Sequence, residues 1–172
     1  LLKKLSLASV TSNAETGAIL TAACLRMTPT ERTWRHAETE DDLIACHPVM
    51  HELRPMLLTP QAFLERARVQ SLQGWRLLAE WQGAAPVALA GYRIMDNLAH
   101  GRFVYVDDLV TARAVRGSGA GARLLAEIER VARAAGCGKL VLDTALANSL
   151  AQRFYFRCGL LSTGLHFTKV LS

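Results

Sequence analysis

Three glycines in five positions separate a strand from a helix in this chain, and that junction constrains the fold more than any other feature. Residues 102–111, RFVYVDDLVT, are rich in β-branched and aromatic side chains and predict a strand. The stretch AVRGSGAGARLL follows at 114–125, with Gly117, Gly119 and Gly121. Behind it, Leu124, Leu125, Ile128, Val131, Ala132 and Ala135 form one apolar stripe at helical spacing, closed by Gly136 as a C-cap. A backbone without side chains at a helix start can approach a ligand closely. Its successive N–H groups face an anion with the helix dipole behind them.

The elements before this junction alternate. Residues 32–37 predict a short strand, and Thr39 with Asp42 has the form of a capping box opening a helix toward Pro48. A second short helix is expected over 48–54. Thr59-Pro60 predicts an N-cap and first position for a helix whose face carries Phe63, Leu64, Ala67 and Ser71. Residues 75–81 and 87–95, joined by QGAAP, read as a hairpin or meander. After the glycine junction, 139–145 predicts a buried strand. Asn148 caps a last helix that ends at Gly159, and 160–171 gives one or two terminal strands. The expected fold is mixed α/β (α+β). It has a central, mostly antiparallel sheet of about six or seven strands, flanked by about four helices, in the order β-α-α-β-β-β-α-β-α-β. Trp34, Trp75 and Trp81 fall in strand candidates and are expected to pack.

Residues 1–26 differ from the rest. Two lysines precede an apolar run loosely like a secretory leader, but Thr11, Ser12, Asn13 and Glu15 interrupt it. The expectation is an N-terminal extension over 1–26 and one domain over 27–172. The 172 residues suit one domain with a sizeable core. Four scattered cysteines, with no C-x-x-C pair, read as reduced thiols in a cytoplasmic protein. No apolar run reaches the ~18 residues of a membrane span, so no membrane association is expected. His47 and His51 are four apart around Pro48 and lack the order of a zinc-binding helix, and no metal is expected.

The net charge is +5, and the span from Arg113 to Arg157 carries eight basic and three acidic residues, the whole of that excess. The basic region surrounds the glycines and favours an anionic ligand. Arg123 with Glu127, and Glu129 with Arg133, are spaced to pair on a helix surface. A phosphate-binding P-loop would need Lys-Ser/Thr after the last glycine, and Ala122-Arg123 stands there. Gly117-x-Gly119-x-x-Ala122, with Asp143 about twenty residues on, matches a dinucleotide fingerprint literally. That fold needs its first glycine directly after the strand, whereas residues 111–116 intervene, and the 50 residues after Ala122 are too few for two halves.

Arg116-x-x-Gly119-x-Gly121, between a strand and a helix, resembles the Q/R-x-x-G-x-G/A pyrophosphate loop of the GNAT superfamily of N-acetyltransferases. The preceding strand is similar to the family's L-x-V-x-P-x-x-R-G-x-G pattern, with Thr111 in the usual valine place and Arg113 in the usual proline place. Downstream, Asn148, Ala151, Tyr155, Gly159 and Leu160 resemble N-x-x-A-x-x-x-Y-x-x-x-G-F, with leucine for phenylalanine. The resemblance covers about residues 30–172. It implies transfer of an acetyl group from acetyl-CoA to an amine by direct attack in a ternary complex. It also implies a strand at 106–111 splayed from 139–144, with pantetheine against Leu109, Val110 and Thr111. The pyrophosphate would lie on the amides of Arg116, Gly117, Ser118, Gly119, Ala120, Gly121 and Ala122, with Asn148 touching cofactor. Tyr155 is implied as the acid that protonates the leaving thiolate, although its helix face also fits a core tyrosine. Asp107 and Asp108 are the candidates for general base. Strand alternation puts Asp107 on one face with Leu109 and Thr111 and Asp108 on the other with Val106 and Val110, and pairing with arginines is the competing role for both aspartates. The acceptor would be a small-molecule or peptide amine, and a homodimer through the C-terminal strands fits the resemblance. A basic face for nucleic acid is not expected. A non-catalytic acyl-CoA sensor of the same fold is the competing function.

Overall fold

The computed structural model describes residues 32–171. Five strands form one sheet in sequence order: β1 (Arg32–His36), β2 (Arg76–Gln82), β3 (Ala85–Asn97), β4 (Gly101–Thr111) and β5 (Lys139–Leu142). The first three pairings are antiparallel, and β4 pairs parallel with β5. Helices α1 (Glu40–Leu53) and α2 (Pro60–Ser71) connect β1 to β2, α3 (Ala120–Ala134) connects β4 to β5, and α4 (Ser149–Arg157) follows β5. The extension expected over 1–26 lies outside the described residues.

The caps form where the sequence places them. Thr39 and Asp42 exchange backbone and side-chain hydrogen bonds as a capping box, and the Thr59 hydroxyl accepts from the Ala62 amide. One helical expectation fails. Residues 40–53 form a single helix, with Pro48 inside it. An interior proline costs about 3 kcal/mol, in part because the carbonyl four residues back loses its donor. That carbonyl, on Ile44, lies on the exposed side with Pro48, where water can serve it, while Cys46, His47, Val49 and Met50 bury the other side. Packing of that face keeps the helix continuous.

Two apolar layers sandwich the sheet. Val49, Met50, Phe63 and Ala67 of α1 and α2 pack with Leu77, Ala79, Trp81, Leu89 and Val110 on one face. Ala120, Leu124, Ile128 and Ala132 of α3 pack with Leu78, Ala88, Ala90, Tyr92, Val104 and Val106 on the other. Trp75 and Trp81 are core residues, as expected. Glu80 is almost fully buried on the α3 side. Its two oxygens accept hydrogen bonds from Arg123 at 3.2 Å, which replaces the expected pairing of Arg123 with Glu127. Glu127 instead pairs with Arg130, and the Glu129–Arg133 pair forms as spaced.

The sheet differs from expectation at its far edge. β5 is four residues long and only half-buried, and 160–171 forms no strand. The sheet therefore has five strands rather than six or seven. A strand needs a hydrogen-bonded neighbour, and nothing within the described chain pairs with that segment. A second difference lies in β4. Val106 opposes Tyr92 and Asp108 opposes Gly91, so Asp107 is an extra residue in the ladder, a β-bulge. The bulge breaks the alternation assumed from sequence, which had Val106 and Val110 on one side. Val106 faces α3, and Val110 faces α1 and α2.

Gly91, opposite the bulge, has no room for a side chain. A Cβ there would sit 2.6 Å from Trp75 Nε1 and 2.8 Å from Asp108 Oδ2. Gly91→Ala should therefore lower the unfolding free energy by about 1–3 kcal/mol, the usual cost of overpacking a core. Urea unfolding of the two proteins measures this, with a shifted midpoint at unchanged slope.

Candidate active site

β4 and β5 are hydrogen-bonded only from Phe103–Lys139 to Val106–Leu142. Beyond Val106, β4 runs on to Thr111 paired with β3 alone, so the two strands part as the resemblance implies. The Ala112 amide donates to Val87 of β3 at 2.8 Å. Peptide groups alternate sides along a strand, so Val110 and Asp108 also face β3, whereas Leu109 and Thr111 direct theirs into the gap. Val110 turns its side chain into the core and Leu109 packs on the α3 side. Of the three residues expected along the gap, Leu109 and Thr111 present backbone groups to it.

The glycine junction closes the end of that gap. Gly117 and Gly119 hold φ of +81° and +80°, a conformation L side chains rarely adopt, and Gly119 is the N-cap of α3. The alternation of left-handed glycines ahead of a helix start builds a concave group of N–H donors. The amides of Ala120, Gly121 and Ala122 lie in the first turn, where no intrahelical acceptor exists. Gly121 has a further reason to be glycine. A Cβ there would lie 3.3 Å from the ring of Phe154 on α4 and 3.8 Å from Thr111 Cγ2. Phe154 thus joins the end of β4, the start of α3 and α4, and its ring centroid is 5.3 Å from that of Tyr155. Burial raises the Tyr155 hydroxyl above its ordinary value, with Cys158 adding to the shift. A more weakly acidic phenol holds its proton at neutral pH and can donate it. Asn148 uses Oδ1 to cap α4, accepting from the Ala151 amide at 3.2 Å.

The loop is tied to both faces of the sheet. Glu52 of α1 accepts from the Arg113 amide at 3.1 Å and pairs with Arg116 at 2.7 Å. Arg123, anchored on Glu80, donates to the Ser118 carbonyl at 3.0 Å. The Arg116 side chain is committed to Glu52 and to the Thr111 carbonyl. Glu52 braces the loop although it belongs to neither signature in the sequence, because its partners lie some sixty residues away.

Both aspartates pair with arginines, in different ways. Asp108 is buried. It takes Arg54 Nε at 2.7 Å, and the same guanidinium donates to the Asp107 carbonyl at 3.0 Å. Arg54 thus clasps the bulge from the end of α1. Asp107 faces a pocket of about 320 Å³ with Arg93, Met95, Asn97, His100, Phe103, Tyr105 and Val141, and pairs with Arg93 at 3.0 Å. Burial raises the Asp107 carboxyl above the ordinary range, against the opposing pull of Arg93. His47 and His51 both direct a ring nitrogen to the Leu57 carbonyl, at 2.8 and 3.0 Å, and order the α1–α2 connection.

A raised carboxyl favours its protonated form in the folded state. Its contribution to stability is present below the ordinary carboxylate pKa of about 4 and is lost as pH rises through the folded value. Asp107→Asn, which carries no charge at any pH, should therefore melt above the parent protein near neutral pH. The gap should shrink as pH falls toward about 4. Thermal unfolding across that range checks the sign, and a variant less stable at neutral pH would contradict it.

Among the described residues, no helix is long and apolar enough to cross a membrane. A family model described as acetyltransferase (GNAT) family matches residues 27–160. An uncharacterized N-acetyltransferase of Bacillus subtilis, YhdJ, is 32% identical over 119 residues, 68% of this chain and 82% of that protein. The aminoalkylphosphonate N-acetyltransferase of Salmonella typhimurium is 30% identical over 141 residues, 80% of this chain and 90% of its own length. In fold, the chain resembles the aminoglycoside N-acetyltransferase AAC(6')-Iy, solved in complex with CoA. The TM-score is 0.73 at 16% identity, covering 86% of this chain and 99% of that one. With a sheet that parts beside a glycine-built helix start, and with these relatives along most of its length, the chain belongs to the acetyltransferase (GNAT) family of acyltransferases.

Proposed function

We propose that this protein transfers the acetyl group of acetyl-CoA to the primary amine of a small molecule, with both substrates bound together. The observation that carries this reading is the meeting, at one end of the sheet, of an unpaired backbone edge and a cluster of helix-start amides. A pantetheine chain carries amides that suit the edge at Leu109 and Thr111. The pyrophosphate carries negative charge that suits the amides of Gly117, Gly119, Ala120, Gly121 and Ala122, whereas the expected amides of Arg116 and Ser118 already donate to the Arg113 and Val115 carbonyls at 3.3 and 3.2 Å. Arg116 holds that loop through Glu52 and adds positive charge beside it. Val110 anchors the strand, and Asn148 fixes the start of α4.

Acetyl-CoA, when bound, supplies an acyl carbon activated as a thioester. The amine nitrogen forms a bond to that carbon, and the carbon–sulfur bond breaks. The chain's own groups move the protons. Asp107, which faces the pocket and whose carboxyl burial raises above its ordinary value, takes the proton from the ammonium. Tyr155 gives its proton to the leaving sulfur, and the second proton shed by the acylated nitrogen restores the phenol. A backbone N–H at Leu109 or Thr111 orients the carbonyl and stabilises its oxygen as charge develops. Asp108 is held by Arg54 and positions the bulge.

Substitution at Gly119 strains its backbone and at Gly121 presses on Phe154, so neither tests anion binding cleanly. Ser118→Glu adds one negative charge to the loop at a residue with negative φ. It should weaken CoA binding about 10- to 100-fold, as a repulsion of about 1–3 kcal/mol requires. Tyr155→Phe should leave CoA affinity intact and lower the rate of free-thiol release about 100-fold, the scale of a lost general acid. Calorimetry and thiol release measure both. CoA binding without thiol release on any amine would make the protein a sensor rather than an enzyme.

The same reading extends to a homodimer. β5 is a sheet edge, and Leu161, Leu165, Phe167 and Val170 are exposed on a segment with strand-like composition. A second copy would cover both by reciprocal pairing. Light scattering should give twice the 18.8 kDa chain mass, and a single-chain mass would overturn it.

A further inference from the structure

The pocket beside Asp107 holds information about the acceptor. It lies against the sheet where β4 and β5 are still paired, with Tyr105 opposite Val141, one step before the strands part. Met95, Phe103, Val141 and the Tyr105 ring give it apolar walls. At about 320 Å³ it suits a small molecule rather than a polymer chain.

Several of its polar groups are committed within the chain. Arg93 gives Nε to Asp107 and Nη1 to Gln73 at 3.2 Å. Asn97 Oδ1 accepts from the Ala99 and His100 amides in the β3–β4 turn. The Tyr105 hydroxyl donates to Asp143, whose carboxylate and burial together push the phenol up to about 12. His100 lies edge-on to Phe103 at 5.1 Å, and its Nδ1 is buried without a partner. Asp107 keeps one carboxylate oxygen that takes no hydrogen bond among the described residues, and Arg93 Nη2 and the Asn97 side-chain amide nitrogen likewise make none there. The charged groups lining the cavity are the Asp107 carboxylate and the Arg93 guanidinium paired with it; Asp143, beyond Tyr105, is in contact with His166 Nδ1 at 3.1 Å.

We infer that the acceptor is a small monoamine on a compact apolar or aromatic body without an anionic substituent. Its ammonium meets Asp107, and its carbon body lies on Met95, Phe103, Tyr105 and Val141. A phosphonate, phosphate or carboxylate in the pocket would meet the Asp107 carboxylate, and the charge of the one lining cation, Arg93, is already paired with it. This selectivity rests on the proposed acetyl transfer, and it differs from what the name of the Salmonella relative states for that protein.

Phenethylamine and 2-aminoethylphosphonate carry the same two-carbon amine arm and differ in the group at its end. With acetyl-CoA, the protein should show kcat/KM for phenethylamine at least about tenfold above that for the phosphonate, as one uncompensated charge contact of about 1.4 kcal/mol gives. Met95 is 40% exposed, so Met95→Arg should fold and should narrow or reverse that ratio while CoA affinity stays unchanged. Calorimetry of each amine with the CoA-saturated protein gives a readout independent of turnover. A preference for the phosphonate in the parent protein, or a ratio untouched by Met95→Arg, would overturn the inference. Phenethylamine bound in preference but never acetylated would uphold the pocket assignment and overturn the transfer reaction instead.

Discussion

The parting of β4 from β5 after Val106 is the constraint on which the rest of this structure depends. A parallel pair that continued to Thr111 would satisfy every backbone group and leave nothing for a ligand to bind. The bulge at Asp107 helps set the geometry there, because an extra residue bends a strand and increases its twist. The bulge is held from outside the sheet. Arg54, at the end of α1, contacts both the Asp107 carbonyl and the Asp108 carboxylate. Gly91 leaves the space into which Asp108 and Trp75 fit. A buried carboxylate without such a partner would be strongly destabilising.

The same helix governs the other end of the gap. Glu52 lies two residues before Arg54 and holds the Arg113 amide and the Arg116 side chain. Glu52, in the last turn of α1, and Arg54, its C-cap, therefore fix the glycine loop and the bulge at once. Pro48 inside that helix is tolerated because the helix's buried side packs so fully. From the opposite face, Glu80 and Arg123 hold Ser118, so the loop is braced by both layers. Such bracing costs little entropy when a ligand binds, because the amides are already in place.

Much of this was legible in the residues. The glycine spacing, the α3 stripe and the caps at Thr39, Thr59 and Asn148 depend on contacts within a few positions, and they appear where the pattern puts them. The illegible features are long-range. Strand alternation put Val106 and Val110 on one face, and a bulge that no local residue signals separated them. The Arg123–Glu127 spacing was correct for a helix surface, yet a buried Glu80 outcompeted Glu127. Residues 160–171 have strand-like composition, but a strand exists only when another edge pairs with it.

The sequence by itself determined that a glycine-built helix start follows a β-rich strand, and that a tyrosine lies on the last helix. Both follow from local backbone preference and helical period. Only the tertiary structure decided what those pieces face. It turned Arg116 toward Glu52, set Phe154 against Gly121, buried Asp108 under Arg54 and left Asp107 open to an apolar pocket. The reason is physical: charge pairing and burial depend on distance in space, and residues 54 and 108 become neighbours only when the sheet and α1 have packed.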